Sequence, residues 1–193
     1  MIEHVPRPIL RQRSSRPVLT GRLLMAGLGA VAVLAVAFAA WTTLRPVHDP
    51  ALTAAAQAAR QEAFHRAPAA VLVAIQPHEL RDAIIAMKLK PEEQRAMESA
   101  VAAGRVDLVW LTLWDDQAED GDIVSVESES FMQSVRLANA PTRVAVPRPK
   151  GGTVTVRGVH DGGGGITVAA ATDQAPVQVP VLAVGQTILL PVR

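Results

Sequence analysis

Residues 23–44 (LLMAGLGAVAVLAVAFAAWTTL) run for 22 positions without a charge. As a helix this segment is about 33 Å long, enough to cross a hydrocarbon layer of about 30 Å. In lipid a single segment satisfies its backbone only as a helix, so this run constrains the chain more than any other feature. Gly27 and Gly29 are compatible with a membrane helix, and Trp41 stands near the end where an interfacial aromatic belongs. Arg7, Arg11, Arg13, Arg16 and Arg22 precede the run, whereas only Arg45 and Arg60, with His48 and His65, follow it closely. The positive-inside rule then predicts a cytoplasmic N-terminus in the inner (cytoplasmic) membrane and a periplasmic or extracellular C-terminal part. The expected layout is a basic arm (1–22), a single transmembrane helix (23–44), a helical stalk and hairpin (45–104), and a β-rich domain (105–193).

A cleaved signal sequence is the alternative, since Ala37-Phe38-Ala39 has the small-x-small form of a cleavage site. Both the apolar run and its leader are long for that role. The basic arm can also rest on anionic lipid headgroups. Ala26, Gly27, Gly29, Ala30 and Ala37 form a small-residue face for helix pairing, although no strict Gly-x-x-x-Gly occurs. The oligomeric state is left open.

Composition narrows the rest. Hydrophobic residues make up 49% of the chain but aromatics only 3%, with no Tyr. Ala and Val supply most of the apolar content, so the core is built from small aliphatic side chains. Few aromatics and a net charge of +1 argue against base stacking and against a broad nucleic-acid footprint. With no Cys there is no disulfide, no thiolate metal site and no thiol nucleophile.

After the membrane run, 51–66 is rich in strong helix formers but poor in large apolar residues, and reads as an exposed or partly packed stalk. Residues 67–76, bounded by Pro68 and Pro77, read as a strand or a buried extended segment. A helix is predicted from Pro77-His78-Glu79, with Leu80, Ile84 and Ile85 on one face. A second runs from Pro91, with Glu92 and Glu93 in its first turn, to a cap at Gly104, and buries Met97 and Val101. From residue 106 the pattern turns to strands. Eight are predicted, at 106–114, 123–127, 131–137, 143–146, 153–159, 166–170, 177–184 and 187–192, the mark of a β-sandwich or barrel. The run 106–114 is almost wholly apolar, as in a central strand buried on both faces. Pro180 assigns the 177–184 run to an edge or splits it. The fold class is therefore one N-terminal transmembrane helix plus a mainly-β sandwich of seven or eight strands, preceded by a short helical hairpin.

Between the first two of these strands, Asp115, Asp116, Glu119, Asp120 and Asp122 place five carboxylates within nine residues. Neighbouring carboxylates repel and raise one another's pKa. A hard cation such as calcium removes that cost, and Gly121 allows a tight turn. The five are candidate calcium ligands, although their spacing does not match the helix-loop-helix calcium loop. A solvated acidic turn is the plain alternative.

The run WDDQAEDGDIVSV, through Trp114, Asp115, Glu119, Asp120, Gly121, Asp122 and Val124, resembles a WD–xxx–EDGDxVxV signature of small β-sandwich modules in bacterial secreted and cell-envelope proteins. The resemblance covers about 50 residues, from Val106 to Val159. Such modules usually continue with an Asn-Gly hairpin tip, where this chain has Ser128-Glu129-Ser130. The resemblance implies a non-catalytic immunoglobulin-like or C2-like sandwich, with no ligand carried over.

Catalytic constellations are lacking. The glycines 162–165 precede a strand rather than a helix, so they do not form a phosphate cradle. His48, His65 and His78 lie 17 and 13 residues apart and give no zinc spacing. No Gly-x-Ser-x-Gly elbow occurs. His160 and Asp161 are candidate additions to the acidic loop. The expected function is a non-enzymatic, membrane-anchored module that binds an envelope protein. The alternative is a calcium-dependent module for a saccharide or lipid, built on residues 115–122 with Trp114 as the platform.

Overall fold

The computed structural model describes residues 51–193. The predicted basic arm and membrane run lie outside them. Among the described residues, no helix is long and apolar enough to cross a membrane.

In chain order the elements are α1 (Ala54–Arg66), β1 (Leu72–Ala74), α2 (Leu80–Ala86), α3 (Pro91–Ala102), β2 (Leu108–Trp114), β3 (Ile123–Ser128), β4 (Phe131–Arg136), β5 (Thr142–Pro147), β6 (Thr153–His160), β7 (Ile166–Ala170), β8 (Val177–Leu182) and β9 (Thr187–Pro191). The strands form two antiparallel sheets. One is centred on β2, which pairs with β5 on one side and with β1 and then β7 on the other, and β8 follows β7 at the edge. The other has the order β4-β3-β6-β9.

The apolar run of β2 reflects two different neighbours. Val109, Leu111 and Leu113 point into the sandwich, where they meet Val124 and Val126 of β3 and Val154 and Val156 of β6. Leu108 and Trp110 point the other way and pack with Ala83, Ile84 and Met87 of the helical hairpin. Strand β5 divides likewise, Val144 and Val146 inward and Ala145 outward. A strand with a sheet on one face and helices on the other loses the usual alternation. Burying each such side chain contributes about 1.5–3 kcal/mol.

The eight predicted strands are all present, with ends shifted by a residue or two. A ninth, β1, comes from the 67–76 run. It joins the sheet because Leu72–Ala74 pair with Val109–Leu111, while Ala70 bridges Val192 beyond β9. One short segment thereby ties both sheets together. Pro180 does lie in an edge strand.

One expectation is corrected. The α2 face consists of Leu80, Ala83, Ile84 and Met87, while Ile85 is exposed, because a helix places 80, 84 and 87 on one side and 85 about 100° away. Of the two readings of 51–66, exposed or partly packed, the packed one holds for part of the segment. α1 lies against β8, with Phe64 and Ala67 packed on the core and Arg60 only 5% exposed. The segment 67–104, whose packing the sequence left open, places β1, α2 and α3 on the β2 sheet.

Candidate functional site

Strand β2 ends in one sheet and β3 begins in the other, so residues 115–122 must cross between the sheets. Gly121 sits at φ +105°, a conformation open to glycine but costly for other residues. Asn139 holds the crossing from outside. Its side-chain amide donates to the carbonyls of Asp115 and Gln117 at 3.3 and 3.0 Å, and its backbone N–H donates to Glu119 at 3.2 Å.

The crossing divides the five acidic residues. Asp115, Asp120 and Asp122 converge, each offering a carboxylate oxygen within 4.8 Å of the others. Asp116 turns away and grips Arg60 with both oxygens at 2.7 Å. Glu119 is exposed and serves Asn139. The expected five-residue set is thus three residues in space, the other two being used to hold the loop.

Burial governs the electrostatics of the three. Asp115 and Asp122 are each 1% exposed. Asp115 Oδ1 accepts from the Thr167 hydroxyl at 2.5 Å and from Gln117 N–H at 3.0 Å. Asp122 accepts from Gly162 N–H and Thr167 N–H, both at 3.0 Å. Burial nevertheless pushes the Asp115 carboxyl up, the hydrogen bonds only partly opposing it, with Asp120 and Asp116 adding like-charge repulsion. Asp122 is pushed up to about 6, again chiefly by burial, with Asp120 and Asp115 adding to it. Two oxygens, Asp115 Oδ2 and Asp120 Oδ1, are shut off from solvent and meet no donor. Buried acceptors in native proteins are nearly always satisfied, so each of these calls for a partner.

The glycine run 162–165 lies against this cluster. A Cβ on Gly162 would come within 2.3 Å of the Asp120 carbonyl oxygen. Beside it, Gln117, Asp120, Gly163 and Thr167 line a cavity with room for about one water-sized particle. Asp161 holds the glycine run by accepting from Gly163 and Gly165 N–H, and His160 is exposed at the end of β6. Sequence reasoning missed Thr167, Asn139 and Arg60. All three are distant in the chain, and an isolated Thr, Asn or Arg carries no local signal.

A second feature lies along β4. This strand pairs only with β3. Beside its open edge runs a groove of about 620 Å³, lined by Phe131, Met132 and Gln133 and by Met87, Lys88 and Leu89 from the turn after α2. Met132 is 67% exposed.

Comparison with protein-family models, with curated proteins and with solved structures finds no match to this chain.

Proposed function

We propose that this chain is a non-catalytic, membrane-anchored module that holds its β-sandwich outside the cytoplasm and engages an envelope protein by strand addition along β4. The anchor rests on the uncharged 23–44 run and the Arg-rich arm before it. The mode of engagement rests on one observation, the groove beside the open β4 edge. Elsewhere α1 lies against β8, α2 packs on β5, and Ala70 bridges Val192 just beyond β9. An unpaired edge offers a row of N–H and C=O groups to an extended partner, with nearby side-chain pockets for specificity. Met132 and Phe131 supply the apolar contact here.

The test is site-specific photo-crosslinking of the full chain in intact membranes. A photo-reactive residue at Met132 should give a discrete adduct with one envelope protein. Ser134→Pro, which blocks pairing at the edge, should abolish it. No adduct at Met132, or equal labelling from Glu98 on the exposed side of α3, defeats the reading.

A further inference from the structure

We infer that Asp115, Asp120 and Asp122 hold a calcium ion that locks the crossing between the two sheets. The argument is independent of the strand-docking reading. Acidic clusters alone are common on protein surfaces. This one differs because Asp115 is 1% exposed and its Oδ2 faces no donor. Asp120 Oδ1, from the other end of the loop, is equally shut off and equally unpartnered. Among the described residues, no Lys, Arg or His forms an ion pair with any of the three. The Arg136 guanidinium lies against Gly121 without pairing with them, and Arg60 is spent on Asp116. A compact positive charge satisfies both orphaned oxygens at once.

Geometry and chemistry select the ion. The three carboxylate oxygens lie within 4.8 Å of one another. Two oxygens on opposite sides of a calcium ion, each at about 2.4 Å, are separated by about that distance. Three oxygens at that limit lie about 2.8 Å from their common centre, so a small inward turn of the carboxylates lets one ion touch all three. The donors are all oxygen, with no His or Cys in the cluster, which fits a hard cation rather than zinc or copper. Calcium accepts irregular sets of six to eight oxygens, and carbonyls or water can complete them. Magnesium demands a near-ideal octahedron. The Thr167 hydroxyl and the N–H groups of Gly162 and Thr167 orient the carboxylates from behind, the role that outer partners play at metal centres. The occupant to be excluded is a proton shared among the three acids.

Terbium luminescence tests this on the full chain in detergent, metal-stripped, at neutral pH. Terbium is a calcium-sized reporter, and Trp114 is adjacent in sequence to Asp115 and can sensitise it. Saturable terbium emission should appear and be displaced by calcium at lower concentration than by magnesium. Asp120→Asn should weaken calcium binding at least tenfold. Because Asp120 is only partly buried and its Oδ1 makes no hydrogen bond, that variant should keep the wild-type circular dichroism spectrum. Glu119→Gln, outside the cluster, should bind as wild type. No calcium-displaceable emission from a folded chain means that a shared proton fills the cluster and overturns the inference. So does unchanged binding in the folded Asp120→Asn variant. Magnesium displacing terbium as well as calcium does overturns the choice of ion.

Discussion

Replacing Arg60 with Ala should destabilise the sandwich far more than removal of a helix-surface arginine usually does. The Arg60 guanidinium makes four hydrogen bonds: two to Asp116 at 2.7 Å, one to the Val168 carbonyl at 2.9 Å and a short one to the Val179 carbonyl. The Arg60 and Asp116 side chains are 4% and 8% exposed. Truncation leaves the Asp116 carboxylate buried without its cation and removes the donor that two strand carbonyls share. Removing one partner from a buried pair of this kind costs about 3–5 kcal/mol. For a domain of this size each kcal/mol moves the midpoint by about 2–4 °C, so the melting temperature should fall by roughly 10 °C. Thermal and urea unfolding followed by circular dichroism read this directly. Arg66→Ala, on the same helix, is the internal control. Its partner Glu62 and Arg66 itself are 70% and 71% exposed, and such pairs contribute about 0–1 kcal/mol. Replacing both buried partners by apolar residues, Arg60→Met with Asp116→Leu, should recover much of the loss, since no charge is then stranded. If Arg60→Ala loses no more than Arg66→Ala, α1 is not clamped to the sandwich.

Three further outcomes are expected. Leu111→Ala empties a fully buried position between the sheets and should cost about 2–5 kcal/mol in urea unfolding. An effect below 1 kcal/mol would mean the two sheets do not meet there. Gly162→Ala forces a Cβ against the Asp120 backbone and should cost about 1–3 kcal/mol, while Gly151→Ala, with open space around it, should be near neutral. Equal effects at the two sites would contradict the close approach of the glycine run to the acidic crossing. Glu79 is held below its ordinary value of 4.5, chiefly by Gln76 N–H and then by the Arg143 guanidinium. A depressed carboxyl stabilises the fold above its unfolded pKa and loses that contribution as pH falls through its folded value. Wild type should therefore lose slightly more stability than Glu79→Gln on acidification below about pH 4.5. Parallel pH profiles would rule the contribution out.

The predicted membrane run and basic arm rest on sequence alone. Within residues 51–193, the strand pattern was legible because alternation, turn residues and Pro are local signals. Pro180 on an edge and Gly104 at φ +66° just past α3 are examples. The uniform apolar run 106–114 announced a strand buried on both faces, but its partners depend on where β5, β6 and the helical hairpin return in space. The acidic loop was equally visible as a cluster of five. Sequence could not divide it, because Asp116 is diverted by Arg60, 56 residues earlier, and Asp115 and Asp122 are joined by Thr167, 52 and 45 residues later. Composition could not decide whether α1 is exposed or packed. A helix of Ala, Gln and Arg has no apolar stripe to declare a packed face, and it is held instead by one buried cation and one Phe. Local pattern therefore determined which segments are strands and helices, because each residue's φ/ψ preference and burial period act within a few positions. Which carboxylates meet, and which helix is clamped, was decided only when the tertiary fold brought distant donors and charges within hydrogen-bond range.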